Sequence, residues 1–511
     1  MASPLAISPL RTRLALKASR LFSQDAFVCR RCLHQQAKTN IRFTSTKRSP
    51  FLDAFKQPRQ LRHQSSATVP TTQSTSSPLG ALSQRISQAA ATHTKQSASR
   101  SSFPDVSSKS VAYFLLASAT SVFGIVVFGG LTRLTESGLS ITEWRPVTGS
   151  LPPRDEAAWE EEFARYKLSP EFRMLDSRMV LEDFKQIYWM EWTHRLWGRV
   201  VGITFLVPTL YFIVRKRVSR GMAGKLLGIC GLIGFQGGLG WWMVKSGLKD
   251  DLFDKGQHPR VSQYRLAAHL GTAFIAYLAM VWNGLGILRE HRLVSNPAEG
   301  SKLLQQLQRP ELRPFKRTIA ALSILTFVTA MSGALVAGLD AGLIYNDFPW
   351  MGQGLLPPKR EMLDPFYSHV SDQKDLVWRN MLENPVLVQL DHRILATSTF
   401  TAIIALWAYS RFNTRVRATL PKQASKGMLG VVHLVSLQVV LGISTLWYLV
   451  PTPLAAAHQA GALALLTGVA LLASRVRVSK RSLMLVQRAL EQQAKTKGAG
   501  TVQKHWTPVA R

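Results

Sequence analysis

The chain has 511 residues, of which 46% are hydrophobic, and its 63 Lys and Arg outnumber its 30 Asp and Glu to give a formal net charge of +33. That charge would suggest nucleic-acid binding in a soluble protein, but here the apolar residues form long runs and the basic residues gather at one end and between the runs. With only three cysteines, a framework of disulfide bonds is also excluded. The composition therefore indicates a membrane protein and argues against a partner made of nucleic acid.

The amino-terminal segment, residues 1–110, carries 17 Lys and Arg against three Asp and is rich in Ser, Thr and Gln. Its opening, MASPLAISPLRTRLALKASRLF, mixes basic residues with Leu at helical spacing and lacks the compact apolar core of a secretory signal. This composition is typical of a mitochondrial transit peptide. We predict a transit peptide and a disordered basic arm here; a basic arm alone is the alternative. The CRRC motif at residues 29–32 has no second Cys pair, so we assign it no metal.

Eight apolar runs follow, and each is long enough to cross a membrane. A helix needs about 20 mostly apolar residues to span roughly 30 Å of hydrocarbon. The runs are residues 111–131, 193–214, 224–244, 266–288, 317–338, 391–410, 427–449 and 454–474. The sequence therefore predicts an all-α polytopic membrane protein with eight transmembrane helices.

Basic residues are concentrated in every second loop. They fill residues 215–225 and 289–317 and recur after the sixth and eighth spans, whereas the long loops 132–190 and 339–390 carry more Asp and Glu than Lys and Arg. Because basic loops stay on the side from which a protein inserts, we predict that both termini face the mitochondrial matrix. The long loops then face the intermembrane space, and residues 157–167 of the first are predicted to form a short solvated helix.

The two halves of the spanning region repeat one another. Residues 129–153 align with residues 333–358, THRLWGR aligns with DHRILAT, Gln236 aligns with Gln438, and AAHLGTAF aligns with AAHQAGAL. Because each unit has an even number of spans, both copies sit the same way up, which excludes an inverted repeat but not a transporter built from parallel repeats. We predict two tandem four-helix bundles in the same orientation. The predicted domains are 111–288 and 317–474, joined by a matrix linker at 289–316 and followed by a basic matrix tail at 475–511.

Four histidines stand at the start of the even-numbered spans: His194, His269, His392 and His458. These spans run in one direction, so the four side chains are expected at similar depth, near the intermembrane space, with two facing each other in each bundle. Ionisable side chains in a bilayer are costly and suggest a function; a hydrogen bond to a neighbouring helix is the alternative. Two opposed histidines in a bundle suit a haem iron, whereas zinc needs three or four ligands.

Three further residues beside these histidines are candidates for function. Arg195 and Arg393 follow the first histidine of each pair and could bind haem propionates, with arginines that snorkel to the surface as the alternative. Glu191 lies three residues before His194, on the same helix face, and Gln389 takes its place in the second half. A carboxylate beside a porphyrin transfers a proton or stabilises a cation, and an amide does not. We therefore predict a reactive site in the first bundle and an electron-relay haem in the second, unless Glu191 is merely solvated.

These motifs resemble those of the haem A synthase family, membrane enzymes of cytochrome oxidase assembly in bacteria and mitochondria. The resemblance covers residues 110–475 and is carried by GGLTRLTESGLSITEW, EWTHRLWGR, AAHLGTAF, GLDAGLIYNDFPWM, LDHRILA and AAHQAGA. It implies an oxidoreductase that converts the methyl group on carbon 8 of haem O to a formyl group by two hydroxylations and loss of water.

The resemblance also implies a role for each site residue. His194 and His269 would ligate the substrate haem O, His392 and His458 would ligate a resident haem b, and Glu191 would act at the methyl group. Some bacterial members carry a cysteine pair in the first outer loop, and residues 132–190 contain none, so no mechanism that needs those thiols is available.

The resemblance places the chain in the mitochondrial inner membrane with a ferredoxin-type electron partner in the matrix. We also expect contacts with membrane lipid, with haem O synthase and other cytochrome oxidase assembly factors, and with further copies of the chain as a homo-oligomer.

Two other functions use the same histidines. A diheme electron-transfer cytochrome b would explain all four, but it would leave Glu191 and the paired outer loops unexplained. A parallel-repeat transporter with a histidine proton relay would require further acidic residues within the spans, and the spans contain almost none.

Overall fold

A computed structural model of the chain describes residues 103–248 and 260–504, apart from residues 146 and 176. Within these ranges the regular structure is helical, with one isolated β-bridge between Met351 and Gly354. Most of the predicted transit peptide, including the CRRC motif, lies outside the described residues.

Each of the eight predicted spans corresponds to one long helix of the described chain; seven lie wholly within theirs, and the seventh, 427–449, extends two residues past the end of its helix at Trp447. In order these are α1 (Lys109–Leu134), α2 (Leu181–Val214), α3 (Arg220–Gly247), α4 (Gln263–Ser295), α5 (Arg313–Gly338), α6 (Pro385–Phe412), α7 (Lys422–Trp447) and α8 (Thr452–Val476). Seven of them are long and apolar enough to cross a membrane. The prediction of an all-α polytopic membrane protein is thereby confirmed.

Helix α6 is not among the seven. Its 28 residues are long enough, but Asp391, Arg393 and the polar stretch TSTFT at residues 397–401 lower its mean hydropathy. Its start is nevertheless well defined, because the Asn384 side chain accepts from the backbone N–H of Val386 and Pro385 occupies the first helical position. The crossing of the membrane by α6 stays a prediction.

The long helices pack in two closed rings of four. In the first ring α1 contacts α2, α2 contacts α3, α3 contacts α4, and α4 returns to α1; helices α5 to α8 contact one another in the same cyclic order. The rings meet where α1 lies against α8 and where α4 lies against α5 and α8. At this junction the Gln459 amide donates to the Val126 carbonyl at 2.9 Å, and Arg133 binds both carboxylate oxygens of Asp340 at 2.7 and 2.9 Å.

Shorter helices lie between the long ones: Glu156–Lys167, Pro170–Met174, Pro297–Gln308, Lys359–Met362, Leu376–Glu383 and Thr414–Thr419. A further helix of 25 residues, Lys480–Lys504, follows α8. The helix Glu156–Lys167 confirms the one predicted at 157–167, but it is not solvated all round. Its aromatic face is buried against Phe184 and Tyr188 of α2, so the first outer loop is packed onto the helix that carries Glu191 and His194.

Candidate functional site

The second histidine pair faces across the interior of the second ring. His392 on α6 and His458 on α8 have ring centroids 6.5 Å apart and ring planes at 88°. Because an imidazole nitrogen binds a metal at about 2 Å, one metal ion between the two rings would hold them at about this separation. No cluster of three or more His, Cys, Asp or Glu suited to a metal ion occurs among the described residues. The pair therefore fits an iron whose remaining ligands come from a porphyrin.

The first pair, His194 on α2 and His269 on α4, lies in the first ring. The Gln236 amide donates to the His269 carbonyl at 3.0 Å. The Nδ1 atom of His269 and the Oε1 atom of Gln236 are buried without a hydrogen-bond partner among the described residues. Buried polar atoms without partners are uncommon in proteins, and a further bound group is one explanation for them.

Each of the four imidazoles lies against a glycine on the preceding helix. A Cβ atom added to that glycine would lie 2.9 Å from His194 at Gly129, 3.5 Å from His269 at Gly240, 3.1 Å from His392 at Gly333 and 2.9 Å from His458 at Gly442. Sequence reasoning missed these glycines. The signal was present, because Gly129 aligns with Gly333 and Gly240 aligns with Gly442 in the repeat.

Glu191 is 3% exposed and accepts four hydrogen bonds. Its Oε2 accepts from the Ser140 hydroxyl and from the Ile141 backbone N–H, both at 2.7 Å. Its Oε1 accepts from Arg195 Nε at 3.0 Å and Arg195 Nη2 at 2.6 Å. Glu191 is therefore not a solvated residue at a helix mouth: it attaches the first outer loop to α2, one turn from His194.

In the second half, the loop 339–390 is attached to α6 in a similar way, but without a carboxylate. Gln389 is 2% exposed, and its amide donates to the Tyr345 carbonyl at 3.0 Å. Arg393 donates to the same carbonyl at 2.7 Å, just as Arg195 donates to the carbonyl of Ile141, the residue that aligns with Tyr345, at 2.9 Å. Burial, together with a hydrogen bond from its hydroxyl to Glu361, raises the pKa of Tyr345 to about 12.

Both arginines of the predicted site are thus bonded to outer-loop backbone. Arg195 also donates to the Glu143 carbonyl at 3.3 Å and Arg393 to the Trp350 carbonyl at 3.1 Å. The Nε atom of Arg393 is buried without a partner among the described residues. The predicted binding of propionates by these arginines stays a prediction.

The fold and site together define a class: multi-pass helical membrane proteins with imidazoles between their helices, one pair of which face each other, and with long loops attached to the same helices. The chain belongs to the COX15-CtaA family of cytochrome oxidase assembly proteins, whose profile matches residues 112–470.

Three relatives illustrate the similarity. Heme A synthase COX15 of Saccharomyces cerevisiae is 51% identical over 371 residues, which are 72% of this chain and 76% of the relative. The heme A synthase-mitochondrial ferredoxin fusion protein of Schizosaccharomyces pombe is 48% identical over 377 residues, 73% of this chain and 60% of the relative. Heme A synthase COX15 of Homo sapiens is 46% identical over 368 residues, 72% of this chain and 82% of the relative.

Proposed function

We propose that this chain is a haem A synthase of the mitochondrial inner membrane, an oxidoreductase that converts the carbon 8 methyl group of haem O to a formyl group. Membership of the family and the names of the relatives support the activity. The observation in the structure that carries it is the opposed pair His392 and His458, with centroids 6.5 Å apart. A haem between them supplies one-electron redox chemistry.

We assign the substrate haem O to His194 and His269 and a resident haem b to His392 and His458. The assignment follows from a chemical difference between the two attachments, since Glu191 is a carboxylate and Gln389 is an amide. A buried carboxylate beside the first pair accepts a proton from the methyl group or stabilises positive charge that develops there. Gln389 offers neither, so the second site only transfers electrons.

The domain layout follows from the repeat. We propose that residues 111–288 and 317–474 form two four-helix bundles in the same orientation, with all eight long helices crossing the membrane. Both termini, the linker 289–316 and the tail 475–511 then lie in the matrix, and the four histidines lie toward the intermembrane space. The closed order of helix contacts in each half supports this layout.

A ferredoxin-type protein is the proposed electron partner. The Schizosaccharomyces pombe relative is named as a fusion with mitochondrial ferredoxin, and a fused partner works at high effective concentration. In the proposed topology the basic loops are the surface open to an acidic electron carrier on the matrix side. We also propose that the chain forms homo-oligomers and contacts other cytochrome oxidase assembly factors.

Acid extraction of the purified, detergent-solubilised chain, followed by chromatography of the haems, tests the function. We expect haem b together with haem O, a hydroxylated intermediate or haem A, because one site holds a resident haem and the other holds a haem that is converted to product. Haem b alone, at two per chain, would favour a diheme electron-transfer cytochrome b, and a chain without haem would contradict both functions.

The glycine contacts give a second test. Gly442→Ala is expected to weaken retention of haem b roughly 10-fold or more, the usual cost of disturbing a residue that orients a metal ligand. A Cβ at Gly442 would lie 2.9 Å from His458 Cε1. Gly430→Ala on the same helix is the matched control, since nothing lies within 4 Å of its added Cβ. Equal haem b content in the two variants would show that the close contact does not position His458.

A further inference from the structure

The Nδ1 atom of His392 is held by a short chain of hydrogen bonds on α5. The Ser332 hydroxyl lies 2.8 Å from His392 Nδ1 and also 2.8 Å from the Thr329 carbonyl, to which it donates. A serine hydroxyl has one proton, so once that proton is given to Thr329 the oxygen accepts from the imidazole. This arrangement of Ser332 places the imidazole proton on Nδ1.

An imidazole protonated on Nδ1 keeps the lone pair of Nε2 free. This is the form in which histidine binds a metal through Nε2, and ligating histidines usually donate their other N–H to a neighbouring acceptor. Such a bond fixes the orientation of the ring and makes it a stronger ligand. His392 is therefore held in its ligand form by the protein itself.

The first half lacks this device. Gly129 and Gly333 match in the repeat, so Phe128 occupies the position of Ser332. Phe128 packs against Trp197 with ring centroids 6.0 Å apart and has no oxygen to offer His194. The ring of His194 is also turned differently: its Nε2 is the atom nearest Gly129, whereas the Cε1 of His392 is the atom nearest Gly333.

The second histidine of each pair differs in another way. Gln438 and Gln236 match in the repeat, and each donates its amide to the backbone carbonyl of its histidine. The Gln438 amide nitrogen also lies 3.1 Å from His458 Nδ1. Because an amide N–H only donates, this contact does not hold a proton on Nδ1 in the way that Ser332 does at His392. In the first half, His269 Nδ1 has no partner among the described residues. The serine acceptor at His392 is therefore the contact that bears on the ligand form.

We propose that Ser332 is a positioning residue that holds His392 in its ligand form and makes the second site retain its haem, whereas Phe128 leaves His194 free to exchange haem. The inference rests on the proposed function, because a synthase must release its product from one site and keep its electron-relay haem in the other.

The test uses full-length protein in detergent and measures the loss of haem b to excess apomyoglobin, with acid extraction to separate haem b from the other haems. We expect Ser332→Ala to lose haem b about 10-fold faster or more and to have a more positive haem b midpoint potential, since a weaker ligand stabilises ferric iron less. Ser332→Thr keeps the hydroxyl and should restore both values. Ser323→Ala is the matched control, because the Ser323 hydroxyl on the same helix donates only to the Ile319 carbonyl, at 2.9 Å.

Unchanged haem loss and potential in Ser332→Ala would overturn the role of Ser332. If that variant fails to accumulate, Ser332→Cys carries the test, because a thiol is a weaker acceptor. The reciprocal variant Phe128→Ser should slow the loss of haem O or haem A, and an unchanged rate there would overturn the role of Phe128. If His392→Ala keeps all its haem b, the placement of haem b in the proposed function is wrong. If His392→Ala loses haem b but Ser332→Ala behaves like the wild type, only the role of Ser332 is wrong.

Discussion

Glu191→Gln is expected to keep both haems bound while formation of the formyl group falls at least about 100-fold, the lower end of what a general acid or base contributes. The second half shows why the variant should fold: Gln389 beside Arg393 already attaches an outer loop in the same way. At position 191 the variant gives the first half the side chain that the second half has at position 389, and it removes the carboxylate. Chromatography of haems extracted from the purified variant measures the outcome.

Gln389→Glu is the matched control for this variant and should leave haem A formation in place, because it adds a carboxylate where no substrate is assigned.

The competing role for Glu191 is structural. Removing one member of a buried ion pair costs about 3–5 kcal/mol, and Glu191 pairs with Arg195 at 2.6 Å. If Glu191→Gln loses haem O, or if its first outer loop becomes sensitive to protease, Glu191 is an anchor of that loop and not a catalytic residue.

Alanine substitutions of the four histidines are expected to divide into two groups. His392→Ala and His458→Ala should each remove nearly all haem b, because the two imidazoles, with centroids 6.5 Å apart, would hold the haem together and a single one would hold it more weakly. His194→Ala and His269→Ala should keep haem b and lose haem O. Absorbance of the reduced protein together with haem extraction separates the two groups.

His433→Ala is the control for the histidine series. His433 lies on α7, a helix of the second ring, but its side chain is exposed and not buried. Its loss should therefore change neither haem. A uniform loss of both haems in all four variants of the site would show that the histidines support the fold jointly and that no division into substrate and resident sites exists.

Much of the architecture could be predicted because its causes are local in sequence. Runs of about 20 apolar residues locate the long helices, and the repeated HR motifs identify His194 and His392 before any contact is known. Helix α6 shows the limit of this reasoning. Its polar stretch lowers its hydropathy, so its position is indicated more clearly by the alignment of the two halves than by hydropathy.

The surroundings of Glu191 could not be predicted in the same way. Its partners Ser140 and Ile141 lie 51 and 50 residues earlier in the chain, and no periodicity links a loop backbone to a helix so far away. The same holds for Ser332, which lies 60 residues from His392. Alignment of the halves shows that Phe128 and Ser332 occupy matching positions and differ. Only the packing of α5 against α6 shows that Ser332 lies beside the imidazole of His392.

The junction between the two rings has a consequence for biosynthesis. Gln459, the residue after His458, donates to a carbonyl of α1 that lies 333 residues earlier in the chain, and its side chain closely approaches Gly130, beside the glycine that packs on His194. Because α8 is the last of the eight long helices to be synthesised, the packing beside α1 is complete only when α8 has taken its place. A chain truncated before α8 would leave the wall beside His194 unfinished as well as lacking His458.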